Sequence, residues 1–104
     1  MLSKNKRVSK KLFTEILEKG LVLYGDFFIF KYVHSKNPHF SVVVSKKILK
    51  GAVARNKLKR KGYNAIREIK TEDISGIFFY KKSGINKNFK EIKEDIYSIL
   101  LKKK

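Results

Sequence analysis

Between Val44 and Arg67 the chain reads VSKKILKGAVARNKLKRKGYNAIR, with nine Lys and Arg and no carboxylate. Ala52, Ala54, Leu58, Ala65 and Ile66 are interleaved with these cations, so the charges sit on a folded surface and not on a free tail. At roughly 100° per residue, Ala54, Leu58, Gly62, Ala65 and Ile69 fall on one side of a helix. Asn56, Lys59, Arg60, Tyr63 and Arg67 gather on the other. The rest of the chain must therefore supply a core for the first side and leave the second to solvent or to a polyanion. Gly62 lies within the inward stripe, where it costs about 1 kcal/mol relative to Ala. Either it admits a close approach to a sheet or it weakens the helix locally.

The flanking segments supply that core. Ser9 is placed to cap a helix near residues 9–19, whose apolar residues Leu12, Phe13, Ile16 and Leu17 recur at helical spacing, and Gly20 is placed to end it. From Leu21 to Val33 the aromatic and β-branched content rises and alternates as a strand does. The turn residues Asn37 and Pro38 separate it from a second strand, Phe40 to Ser45, which predicts a hairpin of the two. A helix over 52–70, the connection TEDISG, a strand at Ile77–Tyr80 and the loop KKSGINK follow. Asn88, with Glu91 three residues on, then caps a last helix carrying Phe89, Ile92, Ile96, Ile99 and Leu100. The order helix, strand, strand, helix, strand, helix is that of an α+β sandwich, with helices packed on a small sheet.

The 104 residues make a single domain, 1–104, with ends 1–6 and 102–104 expected to fray. Lys and Arg outnumber Asp and Glu by 26 to 9, a formal charge of +17 whose self-repulsion calls for a polyanionic partner. Nucleic acid fits better than a membrane, because no stretch approaches the roughly 20 apolar residues of a spanning helix and the basic helix has a poor apolar face for insertion. Arg55, Arg60 and Arg67 can fork onto phosphate oxygens, and Tyr63 offers a stacking surface among them. Acids are absent from this strip, whereas ordinary soluble surfaces mix signs.

The chain has no chemistry of its own in view. Without cysteine there are no disulfides or thiolates, and together with the lack of a secretory signal this reads as a cytoplasmic protein. His34 and His39 read as turn residues, and no metal-ligand spacing, Walker loop or dinucleotide fingerprint occurs. A structural RNA-binding protein, such as a ribosomal component, fits charge and size. A DNA-binding helix-turn-helix module does not, since the alternation around Phe40 to Val44 argues for a strand where a helix would be needed.

The combination of a strand ending in SKK with AVARNKLKR on the following helix resembles the signature of the bacterial ribonuclease P protein subunit. The resemblance extends along the chain, from RVSKKLFTEILEKG at the start to IFFYKK and NFKEIKEDIYSILLKKK at the end. It implies a subunit of a ribonucleoprotein endoribonuclease that removes the 5′ leader from precursor tRNA, with ribonuclease P RNA and the leader as partners. In such an enzyme the RNA does the chemistry with Mg²⁺, bound mainly by the RNA. The fold it implies includes a left-handed βαβ crossover, an exception to the usual hand.

On the matching positions, Arg55, Asn56, Lys59 and Arg60 fit the family motif, Lys57 replaces a usual arginine, and Lys46 and Lys47 match the paired lysines before the helix. Tyr63 and Arg67 complete the expected RNA-binding set. The leader-binding cleft implied by the resemblance takes Phe13, Leu17 where the family carries an aromatic, and an aromatic of the first strand: Phe28, Phe30 or Tyr32. The chain leaves the pattern at Lys61, Gly62, Tyr63 and Asn64, where the family has two apolar residues and then Arg-Glu. That departure implies a helix shortened or kinked there.

Overall fold

The structure is a computed structural model and describes residues 9–36, 38–69 and 73–102. Among these, three α-helices and four strands run in the order α1 (Lys10–Lys19), β1 (Leu21–Tyr24), β2 (Phe28–His34), β3 (Phe40–Val43), α2 (Ala52–Glu68), β4 (Ile74–Tyr80) and α3 (Phe89–Leu101). A short 3₁₀ turn, Lys82–Gly84, precedes α3. The fold is the expected α+β sandwich. Of the ends expected to fray, residues 1–6, 103 and 104 lie outside the described residues, while Lys102 forms the C-cap of α3.

Both caps foreseen from sequence are in place. Ser9 Oγ accepts the Leu12 N–H at 3.2 Å, and Asn88 Oδ1 accepts the Glu91 N–H at 2.8 Å. Glu91 answers through its side chain, taking a hydrogen bond from Asn88 Nδ2 at 3.2 Å in place of the backbone bond of a full capping box.

The strands depart from expectation in two respects. The stretch from Leu21 to Val33 is divided, because Gly25 and Asp26 permit a tight turn in which the Gly25 N–H bonds the Phe28 carbonyl at 2.9 Å. Its two halves, β1 and β2, form the hairpin, with Tyr24 opposite Ile29 and Leu21 opposite Tyr32. The hairpin expected between this stretch and Phe40–Ser45 does not form. The sheet order is β1-β2-β4-β3, with β4 antiparallel to β2 and parallel to β3. β4 lies inside the sheet between β2 and β3 and is the most buried of the strands, with six of its seven residues buried, as expected of a strand covered on both faces. It also starts three residues earlier than expected, at Ile74. Gly76 is accommodated within it by the Phe30 ring, which lies where a Cβ would be.

The main core fills one face of this sheet. Phe28, Phe30 and Tyr32 of β2, Phe40 and Val42 of β3, and Ile74, Phe78 and Tyr80 of β4 meet Leu58, Ala65 and Ile66 of α2 and Ile92, Ile96, Ile99 and Leu100 of α3. Phe30 and Phe78 stack with centroids 4.2 Å apart, and such aromatic pairs contribute about 0.5–1.5 kcal/mol beyond area burial. Helix α2 runs unbroken through Gly62 to Glu68, so the expected shortening at residues 61–64 does not occur. The glycine is there for proximity: a Cβ would lie 3.1 Å from Val42 Cγ1. One turn earlier, Tyr80 donates its hydroxyl to the Leu58 carbonyl at 2.9 Å.

One acid is placed within this architecture. Asp95, on the buried side of α3, accepts the N–H groups of Asp26 at 2.8 Å and Phe27 at 2.9 Å, and so clamps the β1–β2 turn onto the last helix.

Candidate nucleic-acid interface

Two surfaces remain once the core is filled. The first is cationic. After β3 the chain turns at Ser45, whose carbonyl accepts the N–H groups of Ile48 and Leu49, both at 3.2 Å. These two side chains pack against the core, while Lys46 and Lys47 stay exposed. Arg55 then ties this loop to α2: its Nη1 donates to the Leu49 carbonyl at 3.0 Å and also to the Lys50 carbonyl. Arg55 thus commits part of its fork to the end of the loop that carries Lys46 and Lys47. Along α2, Asn56, Lys57, Arg60 and Arg67 are exposed and Lys59 is half-buried. Arg67 donates to Asn64 Oδ1.

Among the described residues no salt bridge joins a carboxylate to residues 46–60: the ion pairs are Lys87–Glu91 at 3.8 Å and Lys93–Glu68 at 3.1 Å. The unfamiliar stretch 61–64 is structural. Lys61 Nζ donates to the Lys87 carbonyl at 2.9 Å, tying α2 to the loop before α3. Tyr63 is corrected from a stacking residue to a core residue: it is 7% exposed, and its hydroxyl accepts the Val42 N–H at 3.1 Å. The wheel misplaced it because the buried side of α2 follows Leu58, Gly62, Ala65 and Ile66, whereas Ala54 projects into solvent.

The second surface is the other face of the sheet. Strand alternation sends Ile29, Lys31 and Val33 of β2, Ile77 and Phe79 of β4, and Ser41 and Val43 of β3 to the side opposite the main core. Helix α1 packs on β2 and β4. Ile16 and Ile77, both fully buried yet outside the main core cluster, place it on this face. Beside it, Ile29, Lys31, Val33, Ser41, Val43 and Phe79 stay half-exposed, with Phe13 half-buried and Leu17 43% exposed on α1. The outcome is a shallow groove floored by a sheet, walled by a helix and carrying a lysine.

Phe28 and Phe30 are therefore corrected. Both are 0% exposed in the main core, as is Tyr32 at 2%, so none can line a cleft. The groove residues missed in their place are Ile29, Lys31, Val33 and Phe79. Lys31 was the available signal: a lysine is almost never fully buried without a partner, so its parity in the strand marks the wetter face.

The family model for ribonuclease P matches residues 2–104. The chain belongs to the ribonuclease P protein family. The ribonuclease P protein from Thermotoga maritima has a similar fold, with a TM-score of 0.83 at 20% identity over 94% of this chain and 97% of that one. That of Staphylococcus aureus gives 0.79 at 21% identity, covering 94% of each. No curated protein sequence matches. As a ribonuclease P protein the chain has the protein-subunit role in tRNA 5′ processing, within a ribonucleoprotein endoribonuclease. This displaces the ribosomal alternative. Among the described residues no helix is long and apolar enough to cross a membrane.

Proposed function

We propose that this subunit binds the catalytic RNA through Lys46, Lys47, Asn56, Lys57, Lys59, Arg60 and Arg67, and holds the 5′ leader of precursor tRNA in the groove beside α1. The observation that carries this reading is the two-sidedness of the sheet: one face is dry and aromatic, while the other leaves apolar side chains and Lys31 half-exposed next to Phe13 and Leu17. A single strand suits such a groove, since its bases can lie on apolar side chains while a cation meets the backbone. Arg55 acts by positioning the Lys46–Lys47 loop. On this reading hydrolysis, with Mg²⁺, belongs to the RNA.

Reconstitution with the cognate RNA tests the reading. The chain alone is expected to leave precursor tRNA uncut, and its addition to the RNA is expected to lower the Mg²⁺ needed for cleavage. Lys31→Ala is expected to weaken binding of leader-bearing precursor while leaving mature tRNA unaffected. Cleavage and Mg²⁺ demand unaltered by the protein would refute the subunit's action. Equal effects of Lys31→Ala on both tRNAs would refute the groove assignment.

A further inference from the structure

The register of the sheet draws a straight line across its outer face. Tyr24 of β1 lies opposite Ile29 of β2, Ile29 opposite Phe79 of β4, and Phe79 opposite Val43 of β3. All four side chains share one face by strand alternation, and none is buried. At about 4.8 Å between neighbouring strands the row spans roughly 14 Å, room for more than one nucleotide at about 3.4 Å per stacked step. At its end stands Tyr24, 64% exposed, while its neighbour Leu23 packs against the core.

We propose that the single-strand track runs along this row and leaves the sheet over the β1 edge, with Tyr24 as an additional stacking position for an unpaired leader base. The proposal rests on the leader-binding reading above and extends it by one site. The backbone beneath the Tyr24 ring is fixed from three sides. β2 pairs with it, Asp95 clamps the turn that follows, and Lys102 Nζ donates to the Tyr24 carbonyl at 3.3 Å. A ring on so rigid a base loses little freedom when a base stacks on it. Lys31, one row along on the same face, supplies a cation for the backbone phosphates. An exposed aromatic in line with half-exposed apolar side chains, beside a cation, suits a nucleobase and its phosphate.

The chain contains no tryptophan, so Tyr24→Trp introduces a sole indole. In the reconstituted holoenzyme its emission is expected to be quenched by precursor tRNA with a long unpaired leader and not by mature tRNA. Tyr24→Ala is expected to cost about tenfold in affinity for the long-leader precursor, within the range for one stacked base. Tyr24→Phe should retain most of that affinity, and neither change should alter affinity for mature tRNA. Unchanged long-leader affinity in Tyr24→Ala, or an indole signal identical for precursor and mature tRNA, overturns the role of Tyr24 alone if the wild-type holoenzyme still gains affinity from the leader. If the wild type gains none, the leader-binding reading falls with it.

Discussion

Replacement of Asp95 tests how the fold holds its most exposed strand. The carboxylate is 7% exposed and accepts two part-buried N–H groups, from Asp26 at 2.8 Å and Phe27 at 2.9 Å. Hydrogen bonds to a charged group contribute about 1.5–3 kcal/mol each, and a buried donor left unpaired costs about 1–3 kcal/mol. Asp95→Ala removes both acceptors, and water can re-solvate part of the opened site, so a net loss of about 3–4 kcal/mol is expected. Asp95→Asn keeps one acceptor and turns an amide donor toward the second N–H, for a loss of about 2–3 kcal/mol. In a domain of this size each kcal/mol moves Tm by roughly 4–8 °C. Urea titrations followed by circular dichroism, at moderate salt to screen the net charge, measure both variants. A loss below about 1 kcal/mol in Asp95→Ala, under what even one charge-assisted bond contributes, would refute the clamp.

Two further outcomes follow from packing and burial. In Gly76→Ala the new methyl would lie 2.3 Å from Phe30 Cε1 and 2.7 Å from the Lys31 carbonyl oxygen. Overpacking of this kind costs about 1–3 kcal/mol, so an unchanged urea midpoint would show that the ring is not confined as described. Burial raises the Tyr80 phenol above its ordinary value near 10. Its stabilisation is therefore fully present below about pH 10 and is lost as pH rises beyond it. Wild type should lose stability more steeply than Tyr80→Phe as pH rises above about 10, and parallel profiles there would contradict the shift.

Local signals in the sequence were reliable because their causes are local. Ser9 and Asn88 cap helices through N–H groups three residues away, and the spacing from Leu58 to Ile66 sets which side of α2 meets the core. The family signature in SKK and RNxxKR was legible for the same reason. Strand pairing was not, because β4 reaches its place between β2 and β3 only after α2 has crossed over, and no short-range pattern encodes that insertion. The cleft aromatics were misassigned by one residue of register, enough to move Phe28 and Phe30 from groove to core. Tyr63 was misread for a related reason: a tyrosine among lysines resembles a contact, yet its hydroxyl closes a backbone bond at β3.

Alternation along β2 has a consequence for how this subunit can change over time. On the leader-binding reading proposed above, Phe28, Phe30 and Tyr32 answer to the stability of the protein, while Ile29, Lys31 and Val33, threaded between them, answer to the leader. Neighbours in the gene therefore lie under separate selective pressures. A lineage could exchange one set to follow a drifting partner and leave the other untouched, so substrate preference and folding can evolve independently within a single strand.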